Sequence, residues 1–216
     1  MRTRVKICGL TRAQDVKAAV QAGADAIGLV FYPGSKRAVT LEQARQLRQH
    51  VPAFVSVVAL FVNADPDHVR AVIEHVQPDL LQFHGDESPE TCMAYGHRYM
   101  RAFRIGGPQM DTAENVLKAA QNYPDAAAWL FDTYSAGYGG SGVAFDHRLL
   151  AAVQASGQAR PIVLAGGLDD ASIGDAMHQS RPYAVDVSSG VEDSPGIKNE
   201  QRIRSFIHAV HDADAV

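Results

Sequence analysis

Short apolar runs alternate with amphipathic stretches along the whole chain. The clearest runs stand near its end: Pro161-Ile162-Val163-Leu164-Ala165 breaks into Gly166-Gly167, and Ala184-Val185-Asp186-Val187 breaks into Ser188-Ser189-Gly190. Runs this short and β-branched predict strands buried on both faces, hence parallel strands. Earlier runs predict strands over Val5 to Cys8, Asp25 to Phe31, Phe54 to Val62, Leu80 to His84, Tyr99 to Ile105 and Ala127 to Asp132. Helices are predicted between and after them, over Arg12 to Gln21, Leu41 to His50, Pro66 to Val76, Ser88 to Tyr95, Asp111 to Asn122, Asp146 to Ala155, Ala171 to Gln179 and Asn199 to His211. Thr11 and Thr40 are candidate N-caps for the first two, and Pro66 suits a first helical turn.

Strand then helix therefore repeats eight times, with no low-complexity linker and no break in composition. Spread over 216 residues, each unit has about 27 residues, which fits an eight-fold βα barrel with little insertion. The expectation is an α/β chain forming one (β/α)8 TIM barrel over residues 1–216. A doubly wound open sheet ranks second, because it usually has fewer units.

Composition narrows the function. The chain is 46% hydrophobic and 20% charged, ordinary for a soluble globular protein. A net charge of -4 without a Lys/Arg cluster gives no electrostatic footprint for nucleic acid. Runs such as Phe54 to Val62 are too short to span a bilayer, and the N-terminus carries no signal-peptide core. Cys8 and Cys92 stand far apart and make no metal-ligand spacing. A reducing cytoplasm is the default compartment. His208 and His211 read as the solvated face of a terminal helix, not as metal ligands.

In such barrels the working face is the carboxyl end of the strands, with phosphate commonly bound after the seventh and eighth. The polar residues predicted there are Cys8, Arg37, His84 and Asp132, together with the exits Gly166-Gly167 and Ser188-Ser189-Gly190. Small residues at an exit let backbone N–H groups face an anion. Gly137-Tyr138-Gly139-Gly140-Ser141-Gly142 formally matches G-x-G-x-x-G. It sits in the sixth unit, and the next strand ends without an acidic residue for a ribose, so the dinucleotide reading is weak.

The motifs Lys6-Ile7-Cys8-Gly9-Leu10, Ser35-Lys36-Arg37, His84-Gly85-Asp86-Glu87, Leu130-Phe131-Asp132-Thr133, Gly140-Ser141-Gly142, Leu164-Ala165-Gly166-Gly167-Leu168 and Val185 through Glu192 come in one order. In that order the chain resembles the phosphoribosylanthranilate isomerase family of tryptophan biosynthesis, from first strand to last helix. The resemblance implies an Amadori rearrangement of N-(5-phosphoribosyl)anthranilate, with Asp132 as general acid and Cys8 as general base. It implies Arg37 as the clamp on the anthranilate carboxylate, and Gly140, Ser141, Gly142, Gly166, Gly167, Ser188, Ser189 and Gly190 around the phosphosugar. His84 is either a satisfied strand-end histidine or part of the substrate pocket, and no proton-transfer role is assigned to it. The chemistry needs no metal and no organic cofactor. The expected partner is the small-molecule phosphosugar, with neither nucleic acid nor membrane, in a monomer or homodimer.

The two proton-transfer groups need opposite shifts. A free Cys has a pKa of about 8.5 and a free Asp about 3.9, and proton transfer works best near 7. Desolvation raises both, so Cys8 needs a positive partner. Lys6 is two residues back on the same strand and faces the same way. The expectation is that it lends positive potential to Cys8 while pairing with Asp186, on the strand that closes the barrel.

Rival readings weigh the same residues differently. The histidine-pathway isomerase family performs the same kind of rearrangement but has an Asp where Cys8 stands. Indole-glycerol-phosphate synthases rely on Lys and Glu in the barrel mouth. A non-catalytic phosphate-ligand barrel would keep Gly166, Gly167 and Ser189 but have no use for Cys8 facing Asp132. Cys92 reads as a buried apolar residue. Departures from the family pattern are Phe83, Asn199 and His147, the last bearing on how the sixth helix packs.

Overall fold

A computed structural model describes residues 2–135 and 144–215. Eight parallel strands close a barrel in chain order: β1 Arg4–Cys8, β2 Ala26–Val30, β3 Ser56–Phe61, β4 Leu80–Phe83, β5 Tyr99–Ile105, β6 Ala128–Thr133, β7 Ile162–Leu164 and β8 Ala184–Val187. Helices α1 Ala13–Ala22, α2 Leu41–Arg48, α3 Pro66–Val76, α4 Pro89–Met93, α5 Ala113–Gln121, α6 Ala151–Ala155, α7 Ile173–Ser180 and α8 Glu200–Asp214 surround it. The fold is the predicted (β/α)8 TIM barrel. A two-stranded hairpin, β9 Glu192–Ser194 and β10 Ile197–Lys198, follows β8. Sequence patterning had no sign of it, because two strands of three and two residues are too short for a period.

Alternation along each strand sorts the side chains. On β3, Val57, Ala59 and Phe61 join the large core between strands and helices, while Val58 faces the barrel interior with Met100, Ala102, Ala128, Leu130, Val163, Ala165 and Ala184. Several alanines keep that interior narrow. Above it, Cys8, Val30, Leu60 and Val62 form a small apolar cluster at the strand exits. Cys8 thus sits on the interior face, one step up from Lys6.

Local signals explain most element ends. Thr40 caps α2 through a reciprocal capping box with Gln43, Asp65 and Pro66 open α3, and Asn199 accepts from the Arg202 N–H at the start of α8; such caps satisfy N–H groups that a helix cannot pair internally. Thr11 is a correction. Its hydroxyl donates to the Gly196 carbonyl at 2.6 Å, and α1 starts after Arg12 with no side-chain cap. Phe54 lies outside β3, fully exposed with φ of 70°. The sixth helix opens as a 3₁₀ turn, His147–Leu150, capped by Asp146. The His147 ring meets Phe145 edge-on at 5.0 Å, and its buried Nε2 has no hydrogen-bond partner among the described residues. No helix among the described residues is long and apolar enough to cross a membrane.

Candidate active site

One pocket opens at the carboxyl ends of the strands. Its lining brings together Cys8, Arg37, His84, Asp132, Gly166, Gly167, Asp186, Ser188 and Ser189. Most stand at or near a strand end and Arg37 in the loop after β2, so closure of the barrel converts distant stretches into one cavity. Gly190 is the exception. It is not part of that lining, and a Cβ there would run into the Leu168 carbonyl. Gly140, Ser141 and Gly142 lie outside the described residues.

The floor is ionic. β1 and β8 pair with Lys6 opposite Asp186, and Lys6 Nζ donates to both carboxylate oxygens of Asp186 at 2.9 Å. Both residues are buried, at 5% and 8% exposure, and breaking such a pair from one side costs about 3–5 kcal/mol. Burial works against the Lys6 charge, yet the Asp186 carboxylate and the Cys8 sulfur hold its pKa above the ordinary lysine value. The pairing expected from the sequence is present. Its effect on Cys8 is only partial. Burial pushes the Cys8 thiol up and outweighs the opposing pull of Lys6 and Lys198, so the thiol rests protonated more firmly than a free cysteine.

Gly28 makes room for this arrangement. It is the β2 partner of Cys8, and a Cβ there would stand 2.7 Å from Cys8 Sγ and 3.1 Å from Lys6 Nζ. Gly166, with φ of 85°, plays the same part beside Asp132, whose Oδ1 would lie 2.8 Å from an added Cβ. A side chain is doubly disfavoured there, by backbone conformation and by space.

Asp132 on β6 and Cys8 on β1 line the same pocket, with β7 and β8 between their strands. Asp132 Oδ1 accepts the Thr133 N–H at 2.8 Å, and Oδ2 lies 3.3 Å from His84 Nε2. Gln82, fully buried on β4, places its Nε2 at 3.1 Å from His84 Nδ1. Gln82 Oε1 has no partner among the described residues and belongs to the pocket lining. Sequence reasoning missed Gln82. Its signal was a polar residue at an inward position of an otherwise apolar strand.

Arg37 comes from the loop after β2 and is anchored by an acid. Its Nε and Nη2 donate to the two Glu192 oxygens at 2.8 and 2.7 Å, and this contact holds the guanidinium pKa above its ordinary value. The side edge of the fork is therefore occupied. The end edge, carrying Nη1 and the second Nη2 hydrogen, makes no protein hydrogen bond among the described residues. At the exits of β7 and β8, the N–H groups of Gly166, Gly167 and Ser189, all in the pocket lining, likewise have no protein acceptor among the described residues. Unpaired amides of this kind form an anion-binding nest. Arg101, buried on β5, braces the β4 exit by donating to the Phe83 and Gly85 carbonyls at 2.9 and 2.8 Å.

Comparison with known proteins is consistent along the chain. The family model described as N-(5'phosphoribosyl)anthranilate (PRA) isomerase matches residues 5–209. An N-(5'-phosphoribosyl)anthranilate isomerase of Bordetella bronchiseptica is 62% identical over 216 residues, covering 100% of this chain and 99% of the relative. The crystal structure of phosphoribosyl anthranilate isomerase from Thermotoga maritima superposes with a TM-score of 0.87 at 38% identity, covering 97% of this chain and 99% of that one. A phosphoribosyl anthranilate isomerase in complex with reduced 1-(o-carboxyphenylamino)-1-deoxyribulose 5-phosphate gives a TM-score of 0.84 at 35% identity, with coverage of 97% and 99%.

Proposed function

The chain belongs to the N-(5'-phosphoribosyl)anthranilate isomerase family, and we propose that Asp132 and Cys8 are its general acid and general base. The chain is an isomerase of tryptophan biosynthesis, converting the aminoaldose N-(5'-phosphoribosyl)anthranilate to 1-(2-carboxyphenylamino)-1-deoxyribulose 5-phosphate. One observation supports the residue assignment: Cys8 and Asp132 line a single pocket that Arg37 and the strand exits at Gly166, Gly167, Ser188 and Ser189 also line.

The steps balance without any external reagent. Asp132 gives a proton to the furanose oxygen as the C1'–O bond breaks and the nitrogen lone pair forms an iminium. Cys8 as thiolate takes the C2' proton, the C–H electrons form the C1'–C2' double bond, and the C=N electrons return to nitrogen. The resulting enolamine loses its 2'-hydroxyl proton and gains one at C1', giving the ketone. The pair ends with its proton on Cys8 instead of Asp132, and its return resets the enzyme. Burial opposes the thiolate that this requires, and Lys6 works the other way. His84, aimed by Gln82, orients Asp132. The free end edge of Arg37 suits the anthranilate carboxylate, and the amides after β7 and β8 suit the phosphate. Two buried free thiols, Cys8 and Cys92, accord with a reducing cytoplasm.

The test follows loss of the fluorescent substrate, generated in situ, by the native protein, Cys8→Ala and Asp132→Asn. Turnover should vanish in both variants while they still bind the reduced product analogue. Turnover surviving Cys8→Ala would remove the base, and turnover surviving Asp132→Asn the acid.

A further inference from the structure

The β9–β10 hairpin lies outside the eight βα units, yet its two buried charged residues reach two separate walls of the pocket. Glu192 and Lys198 are 5% and 3% exposed. The Glu192 carboxylate takes both side-edge donors of Arg37, the Gly196 N–H at 3.2 Å and Lys198 Nζ at 2.8 Å. Lys198 Nζ also donates to the Ser188 carbonyl at 3.0 Å and to Ser188 Oγ at 3.2 Å. The Ser188 hydroxyl in turn donates to the Cys8 carbonyl at 3.1 Å. Three acceptors around one nitrogen match the three hydrogens of an ammonium.

We infer that Glu192 and Lys198 are positioning residues that aim Arg37 at the substrate carboxylate and lock that clamp to the phosphate-side loop at Ser188. The inference rests on the assignment of Arg37 as carboxylate clamp. An arginine side chain has many rotamers, and holding it by one edge removes most of them before substrate arrives. The side-edge contact with Glu192 leaves only the end edge for a ligand, so direction as well as charge is set. Neither Glu192 nor Lys198 is part of the pocket lining, so both act through Arg37 and Ser188.

The experiment measures Kd for two ligands, the reduced product analogue and the same molecule made from aniline, which lacks the carboxylate. The proteins are native, Arg37→Ala, Glu192→Gln and Glu192→Asp. Native protein should prefer the carboxylate-bearing ligand. Losing an aligned charge-assisted contact corresponds to roughly a ten- to hundredfold change in Kd. Arg37→Ala should lose that preference, and Glu192→Gln should lose most of it while binding the aniline ligand nearly as well as native protein. A purely structural Glu192 would weaken both ligands equally, and that result, or an unchanged preference, overturns the inference. Should Glu192→Gln not fold, Glu192→Asp keeps the charge but withdraws it by one methylene, and the same selective loss is expected. If Arg37→Ala keeps the preference, the clamp assignment falls and the inference with it. If Arg37→Ala loses it and Glu192→Gln does not, the inference alone falls.

Discussion

Replacing Gly28 by Ala isolates the position of one sulfur atom. Gly28 lies on β2 beside Cys8, and its backbone is not in the left-handed region, so alanine suits the strand itself. The added methyl would stand 2.7 Å from Cys8 Sγ, 3.1 Å from Cys8 Cα and 3.1 Å from Lys6 Nζ. Non-bonded atoms rest at about 3.5–4.0 Å, so the sulfur must retreat by roughly 1 Å. A displacement of that size at a reacting atom costs about a hundredfold in rate. Overpacking a filled interior costs about 1–3 kcal/mol of stability. Steady-state turnover and denaturant unfolding should therefore show kcat down about a hundredfold, a modest loss of stability and unchanged affinity for the product analogue. Gly23→Ala is the control. Gly23 has φ of 99° with nothing within 4 Å of an added Cβ, so it should lose about 1 kcal/mol of stability through backbone strain alone and keep its kcat. Turnover of folded Gly28→Ala within about threefold of native would refute the reasoning, because the sulfur's place would not then govern the rate.

Other predictions concern charge. Alkylation of Cys8 by iodoacetamide should rise with pH to a midpoint above that of an ordinary cysteine, since burial outweighs Lys6. Lys6→Met should move the midpoint higher, because an ammonium favours the charged thiolate; an unchanged midpoint would remove Lys6 from the thiol's environment. Cys92, pushed up by burial to about 12, should not react in the native protein below that range, so mass spectrometry should find one modified thiol when folded and two when unfolded. At the start of β1, Asp25 accepts the Val5 N–H at 2.9 Å and is gripped by Arg2. Burial opposes its charge, but these partners hold the carboxyl below its ordinary value. The stability it contributes is present above the unfolded carboxyl pKa of about 3.9 and is lost as pH falls through the lower folded value. Asp25→Asn should therefore be less stable than native at neutral pH, with a shallower loss in acid; an acid limb as steep as native would contradict this.

Much of the fold was legible because its signals are local. A buried parallel strand writes itself as a short apolar run, and its exit as a cluster of small residues. For that reason the pairs Gly166-Gly167 and Ser188-Ser189, which line the pocket, stand out in the sequence alone. The Lys6–Asp186 pair was legible too, because strand alternation fixes which way each side chain faces and closure makes the two strands neighbours. The Thr11 cap failed for the opposite reason. A threonine before a helix is a good local signal, but the Gly196 carbonyl, 185 residues away, competes for its hydroxyl and wins.

The chain's own patterning set the eight-unit barrel and the residues at its strand ends. It did so through period, run length and turn residues, all readable over a few neighbouring positions. Barrel closure put Gly28 beside Cys8, Gln82 against His84, and Glu192 on one edge of Arg37. It alone also decided that burial prevails over Lys6 at the thiol. Each of these depends on the distance between residues far apart in the chain, and barrel closure sets such distances through registers that no single stretch encodes.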